Sequence, residues 1–390
     1  MAQLVRTAGG TVLDTIHQNL AKPDAGSFVG KGKVEEIAGR AAELEATTIV
    51  FDHNLTPGQV ARLERITLCK VIDRTELILS IFALNARTVQ ARLQIELAQL
   101  KYTLPRLSGM WHHFSRLGAG IGTRGPGETQ LEVDRRRARA RINVLETRLA
   151  ELDTGARLRR SARAEMFKVS LVGYTNAGKS SLLNALCDAS ALVEDKLFAT
   201  LDTTSRRLSL PGSGTALLSD TVGFIDRLPE TLVASFRGTL DVVREADLLL
   251  LVADISCPDR EERLSVVTST LERIGAGEVP RLLVWNKADL SSQLPPGGLS
   301  VSALTGEGLE DLLNAVSSFW KKTLAWFTVS LDIPHGALEN WIRGNCLVES
   351  SVRSESGRTV IRCAPLRGKG ELVSRVKAAS GELLPAEDAG

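Results

Sequence analysis

The 390-residue chain lacks any long apolar run: its longest stretch free of polar residues is the six from Leu248 to Ala253. A membrane-spanning helix needs about 20, so no membrane span is expected. Cysteine is scarce too. Cys69, Cys187, Cys257, Cys346 and Cys363 are scattered, and no CxxC pair occurs. That excludes a disulfide framework or a zinc site as an expectation and fits free thiols in a reducing, cytoplasmic compartment. The opening residues are polar and Gly-rich, unlike a secretory leader. Net charge is nearly absent, with 48 Lys+Arg against 46 Asp+Glu, or +2. A hydrophobic content of 43% is that of ordinary globular chains, which excludes disorder as the main state.

The neutral total hides an asymmetry. From Lys101 to Lys168 there are 15 Lys+Arg and 7 Asp+Glu, so this stretch carries +8 and the remainder −6. A basic block in an acidic chain points to a local polyanion contact.

A chain of this length holds about two to four domains. Over residues 1–85, Thr48 to Asp52 and Cys69 to Asp73 read as short buried strands. Pro57 to Ile66 reads as a helix capped by Thr56, and Val34 to Leu44 as another helix. This is an α/β domain with a parallel sheet. Residues 86–155 carry heptad-like stripes: Ala86, Leu93 and Leu100, then Leu131, Ala138, Leu145 and Leu152. They predict two long helices packed as an antiparallel hairpin. The segment joining them, 105–130, holds six glycines and two prolines, and loops of that kind are functional or disordered. The stretch from 154 reads as a linker, with the boundary drawn at 156–166.

A second α/β pattern covers 167–321, with apolar strands expected at Phe167 to Val172, Ala216 to Ser219, Leu248 to Val252 and Arg281 to Trp285. Residues 322–390 read as a small α+β domain. Its strands are expected at Ala325 to Leu331, Cys346 to Val352 and Thr359 to Cys363, its helices at Gly336 to Arg343 and Gly368 to Ala379, and its end as frayed.

Gly173-Tyr174-Thr175-Asn176-Ala177-Gly178-Lys179-Ser180 matches GxxxxGK[ST] between a predicted strand and a predicted helix. The glycines let backbone N–H groups curl around phosphates, and the helix N-terminus adds partial positive charge. Lys179 would reach the β- and γ-phosphates, and Ser180 would offer its hydroxyl to Mg²⁺. Asp220-Thr221-Val222-Gly223 is a DxxG motif about 40 residues on. Asp220 would hold Mg²⁺ through a water, and the Gly223 amide would meet the γ-phosphate. Asn286-Lys287-Ala288-Asp289 is NKxD. The Asp289 carboxylate would accept from guanine N1–H and the N2 amine, a donor pair that adenine lacks. Lys287 would lie along the base, and Ser302-Ala303-Leu304 would contact the guanine oxygen. Four motifs in this order imply a GTPase that binds GTP and GDP.

Phe198-Ala199-Thr200-Leu201-Asp202 is the first-switch candidate. By residue type alone, Thr200, Thr203 and Thr204 are equally able to close over Mg²⁺. Phe224 stands where many GTPases carry a water-orienting Gln, which predicts slow intrinsic hydrolysis. Asn176 could ligate K⁺ or could simply brace its loop. In the Gly-rich segment, Trp111, His112, His113 and Phe114 could stack on unpaired bases while Arg116 and Arg124 meet phosphates. Arg135, Arg136, Arg137, Arg139 and Arg141 could serve RNA or be a solvated helix face. Gly30-Lys-Gly-Lys33 could hold a second phosphate or be an ordinary turn.

With these residues in view, the chain resembles the HflX family of translation-factor-related GTPases. The resemblance rests on Phe28-Val-Gly-Lys-Gly-Lys33, Val71-Ile-Asp-Arg-Thr75, Leu97-Ala-Gln-Leu100, Gly122-Thr-Arg-Gly-Pro-Gly-Glu-Thr-Gln-Leu-Glu132, and Asp220-Thr-Val-Gly-Phe-Ile225 with Leu228-Pro229. It implies binding to the large ribosomal subunit, with the hairpin tip carried to the 23S rRNA near the peptidyl-transferase centre. It also implies splitting or rescue of ribosomes under stress, or a part in their biogenesis, by a protein that is monomeric off the ribosome. It favours Thr200 as the Mg²⁺ ligand. Thr203 departs from the family, which commonly has Pro there. The expected fold is therefore α/β throughout: an N-terminal α/β domain with a helical hairpin, a P-loop domain with a mostly parallel sheet, and a C-terminal α+β domain.

Overall fold

The computed structural model describes residues 1–106, 130–161, 166–187, 204–212, 214–224, 237–291, 293, 295–332, 335–354, 357–366 and 369–385. The first region comprises α1 (Ala2–Thr7), α2 (Lys31–Glu43), β1 (Thr48–Phe51), α3 (Pro57–Thr67), β2 (Lys70–Asp73) and α4 (Arg74–Asn85). β1 and β2 pair in parallel, with Phe51 opposite Asp73. A capping box between Thr56 and Gln59, with Pro57 just inside, opens α3, as the Thr-Pro pattern predicts. The sequence pattern gives no separate helix at α4, because apolar residues stand on both of its faces: Leu77, Ile78, Leu79, Ile81 and Phe82 are buried, while Ala83 and Leu84 share the exposed face with Ser80. A helix apolar on both faces has no amphipathic period to read.

The hairpin helices are α5 (Val89–Thr103) and α6 (Gln130–Ser161). Leu97, Ile142, Leu145 and Leu149 close their seam, with Leu93, Leu100 and Leu104 alongside. Ion pairs brace it: Arg141 to Glu96 at 2.7 Å and Lys101 to Glu146 at 2.7 Å. The helices are unequal, 15 and 32 residues. α6 stays helical to Ser161, where the composition had read as linker from 156. Arg, Ala and Leu are strong helix formers, and the lone Gly155 costs about 1 kcal/mol, too little to end the helix.

The next region is a six-stranded sheet of order β4-β5-β3-β6-β7-β8. Its strands are β3 (Phe167–Gly173), β4 (Thr204–Leu210), β5 (Gly214–Asp220), β6 (Leu248–Asp254), β7 (Arg281–Asn286) and β8 (Leu299–Ser300). All pair in parallel except β4, which runs antiparallel to β5 at the edge. The polar sequence of β4 hid it from the apolar-run criterion, and a charged edge strand is a common device against aggregation. Helices α7 (Lys179–Leu186), α8 (Arg237–Arg244), α9 (Arg260–Arg273) and α10 (Leu309–Thr323) complete the layers. Val169, Leu171, Leu182, Leu218, Leu250 and Val284 form the centre of the core.

The last region runs β9 (Phe327–Leu331), α11 (Gly336–Asn345), β10 (Cys346–Arg353), β11 (Thr359–Pro365), α12 (Lys369–Ala378) and β12 (Glu382–Pro385). Its antiparallel sheet has the order β10-β11-β9-β12. β12 is a strand the sequence reading did not assign, and the last residues, 386–390, expected to be frayed, lie outside the described residues. Leu383 faces Val329 in register and packs against the cluster under the sheet, and that burial holds the strand. Among the described residues no helix is long and apolar enough to cross a membrane.

Candidate nucleotide site

The site lies at the carboxyl ends of the parallel strands, where open α/β sheets bind ligands. β3 ends at Gly173, the loop Tyr174 to Gly178 follows, and α7 begins at Lys179. Asn176 holds a left-handed φ of 64° and Gly178 one of 87°, so the chain reverses within the loop. Lys179 Nζ donates to the carbonyls of Gly173 at 3.2 Å and Tyr174 at 2.9 Å. Burial pushes the Lys179 ammonium down to about 8, against the opposing pull of Asp220. It is a desolvated cation, whose charged form burial disfavours.

Ser180 Oγ donates to Asp220 Oδ2 at 2.6 Å. A hydroxyl beside a carboxylate is a hard-oxygen donor set suited to Mg²⁺, the ion P-loop GTPases generally use. Thr221 donates to the Leu171 carbonyl at 2.7 Å, which ties the DxxG motif to β3. The Phe224 N–H donates to the Gly173 carbonyl at 3.0 Å, and the Thr175 N–H donates to the Phe224 carbonyl at 2.8 Å. Gly223 is thereby held against the loop. The Phe224 side chain is 4% exposed in an apolar cluster and cannot orient water.

The base motif is joined to the same loop. Asn286 Nδ2 donates to the Ala177 carbonyl at 3.0 Å, and Asn286 Oδ1 accepts from Ala303 N–H at 3.1 Å. Lys287, at φ 65°, pairs with Asp254 at 2.6 Å. Burial raises the Asp254 carboxyl, but hydrogen bonds from Lys287 and Ser256 outweigh it and hold the group below the usual carboxylate range. Ser302 Oγ donates to Asp289 Oδ1 at 2.5 Å. Ala288 N–H donates to the Val301 carbonyl at 3.0 Å, which sets the 302–304 segment beside the motif. Leu304 is largely exposed.

The structure thus brings together the loop from Gly173 to Ser180, the motif from Asp220 to Gly223, the motif from Asn286 to Asp289, and Ser302 to Leu304. Phe198, Ala199, Thr200, Leu201, Asp202 and Thr203 lie outside the described residues. Thr204 opens β4 opposite Asp220 with its side chain exposed. Trp111, His112, His113, Phe114, Arg116 and Arg124 also lie outside. Of the α6 arginines, Arg136, Arg137, Arg139 and Arg141 are exposed and Arg135 is half-buried.

Comparisons with known proteins converge on this arrangement. Three family models match in succession: a GTP-binding GTPase N-terminal region over residues 1–83, its middle region over 85–163, and a 50S ribosome-binding GTPase over 168–287. The GTPase HflX of Escherichia coli is 42% identical over 366 residues, covering 91% of this chain and 86% of that protein. This chain belongs to the HflX GTPase family. Like its relatives it is a GTP-hydrolysing enzyme. The GTPase HflX of Caldanaerobacter subterraneus is 48% identical, covering 81% of this chain and 75% of that one. Among solved structures, a GTP-binding protein from Sulfolobus solfataricus in complex with GDP is 26% identical with a TM-score of 0.41, covering 82% of this chain and 94% of that one.

Two features of this HflX-family chain escape sequence reasoning. Tyr174 and Val222 pack into a cluster with Leu4, Leu77, Ile78 and Ile81 of the first region, so the P-loop and the DxxG motif touch α1 and α4 directly. Beside them is a cavity of about 440 Å³, lined by Gln3, Arg74, Asn176, Asp254, Asp259 and Arg263 among others. The second feature is Asp73, fully buried. It accepts from Leu55 N–H at 3.1 Å, Glu76 N–H at 2.9 Å and Arg106 at 2.7 Å, and also from the Tyr102 hydroxyl. Burial first, then this bond, push the Tyr102 phenol far above its usual range. One carboxylate therefore anchors the base of the hairpin to the first region. Its sequence signals are an acidic residue ending an apolar strand and its place in the Val71 to Thr75 segment, and neither names the partners it meets.

Proposed function

We propose that this protein is a Mg²⁺-dependent GTPase that binds the large ribosomal subunit, with its hairpin tip probing 23S rRNA near the peptidyl-transferase centre. It splits or rescues stalled ribosomes under stress, or acts in their biogenesis. It works in the cytoplasm and is monomeric off the ribosome. In this reading the Gly173 to Ser180 loop cradles the phosphates, with Lys179 on the β- and γ-phosphates. Ser180 and Thr200 ligate Mg²⁺, Asp220 reaches it through water, and the Gly223 amide senses the γ-phosphate. Asp289 reads guanine, with Asn286 and Lys287 supporting it. When bound, Mg²⁺ neutralises phosphate charge. The chain's own part is to orient the phosphates, exclude adenine and register loss of the γ-phosphate.

The division of labour follows residues 1–85, 86–155, 156–166, 167–321 and 322–390. The observation that carries the ribosomal reading is the exposed arginine run of α6 on a stiff stem. Such a surface suits structured RNA, and its binding weakens steeply with salt. GTP and GDP must differ in affinity for the subunit if the nucleotide is to drive a cycle.

The test is GTP turnover with and without purified large subunits, repeated after deleting 107–129, which leaves the Arg106 anchor intact. Stimulation by subunits that is lost on deletion is expected. Turnover unchanged by subunits, with equal co-sedimentation in GTP and GDP, would sink the reading. Asn176 is the candidate K⁺ ligand, and faster hydrolysis in K⁺ than in Na⁺ is its expected signature.

A further inference from the structure

Thr175 occupies a variable position of the P-loop motif, where only the glycines, Lys179 and Ser180 are required. Its side chain is unusual. The residue is 2% exposed, and Oγ1 has no hydrogen-bond partner among the described residues. Buried hydroxyls are nearly always paired. Its backbone N–H is already committed to the Phe224 carbonyl at 2.8 Å, so the hydroxyl is the polar group Thr175 has left to offer.

A Cβ built on Gly223 would lie 2.8 Å from Thr175 Cα, 2.9 Å from Thr175 Cγ2 and 2.9 Å from Lys179 Nζ. The Thr175 methyl, Gly223 and Lys179 Nζ therefore converge on one point; Oγ1 shares a Cβ with that methyl, so one staggered χ1 step carries the hydroxyl into its place. Phe224, next in sequence, has nothing with which to hydrogen-bond the reacting group.

We propose that the Thr175 hydroxyl is a catalytic group that donates a hydrogen bond to an oxygen of the γ-phosphoryl group during its transfer to water. This rests on the reading of the loop as a phosphate cradle. Water attacks the γ-phosphorus, a new O–P bond forms, and the bond to the β–γ bridging oxygen breaks. GDP leaves with that oxygen, and the water's proton departs with inorganic phosphate. Thr175 keeps its own proton and stabilises charge on the equatorial oxygens. The hydroxyl goes unused with GDP, so it discriminates the two nucleotides and favours the transition state.

Thr175→Val keeps the shape and removes the hydroxyl; Thr175→Ser keeps the hydroxyl. Single-turnover GTP hydrolysis and affinities for GDP and β,γ-imido-GTP would be measured for both in the full chain. Thr175→Val is expected to hydrolyse about 10-fold more slowly or worse, with unchanged GDP affinity and weaker binding of the imido analogue. Thr175→Ser should recover most of the rate. A Val variant at the wild-type rate, equal losses in Val and Ser, or a matching loss of GDP affinity overturns the proposal. Lys179→Ala separates the premise: if it retains turnover, the cradle reading itself has failed.

Discussion

Asn286 donates to the carbonyl of Ala177 at 3.0 Å across 109 residues of sequence, and a Cβ placed on Gly178 would fall 2.2 Å from the same amide nitrogen. The base motif and the phosphate loop are therefore one packed unit. Gly178→Ala meets both this clash and a φ of 87°, which disfavours any L side chain. GDP affinity in this variant should fall more than about 10-fold, as read by fluorescent-nucleotide titration. Asn286→Ala removes the tie instead of crowding it and should lower both affinity and unfolding free energy, the latter by about 1–3 kcal/mol.

In the proposed reading, the Asp289 carboxylate would offer two acceptors to the edge of the base. An asparagine at that position would offer one donor and one acceptor. Guanine presents donors at N1 and the 2-amine; xanthine presents a donor at N1 and an acceptor at O2. Asp289→Asn should therefore weaken GDP and strengthen xanthosine diphosphate, reversing the preference in competition binding. An unchanged ranking would move base recognition elsewhere.

The buried Lys179, held down to about 8 by desolvation, makes nucleotide affinity pH-dependent. Its proton is lost from the empty site above about pH 8, whereas bound phosphates raise the pKa and keep the ammonium charged. Binding above pH 8 must then take up a proton, so affinity falls as pH rises, by up to about tenfold per unit. The sign for folding is opposite. The unfolded chain binds this proton more tightly than the folded one, so the group's contribution to stability increases through the window from 8 to 10.5. Calorimetry in two buffers of different ionisation enthalpy would detect the proton uptake.

Asp73 is a fully buried carboxylate joined to Arg106, Tyr102, Leu55 and Glu76. Asp73→Ala removes the carboxylate partner of Arg106, leaving its guanidinium the Leu55 carbonyl at 2.8 Å, and should cost about 3–5 kcal/mol in urea unfolding. Tyr102→Phe deletes one donor and should cost about 1 kcal/mol. It is the gentler probe of whether a loosened hairpin base changes the stimulation by large subunits proposed above.

Much of the molecule was legible in one dimension because its signals are local. The P-loop spacing, the DxxG and NKxD motifs, the Thr56-Pro57 helix start and the heptad seam through Leu97 and Leu145 are each dictated by residues a few positions apart, whose backbone hydrogen bonds or side-chain periodicity need no distant partner. Strand β4 and helix α4 were not legible, one because an edge strand can be polar, the other because its exposed face carries Ala83 and Leu84 and so shows no polar stripe. Only the tertiary structure set Asn286 against Ala177, seated Tyr174 and Val222 on Ile78 and Ile81, made Asp73 the anchor for Arg106, and packed the Thr175 side chain against Gly223. Those are contacts between segments far apart in the chain. Sequence specifies the chemistry each residue can offer, but burial and distance, which decide whether that chemistry is paired or poised, exist only after the layers have packed.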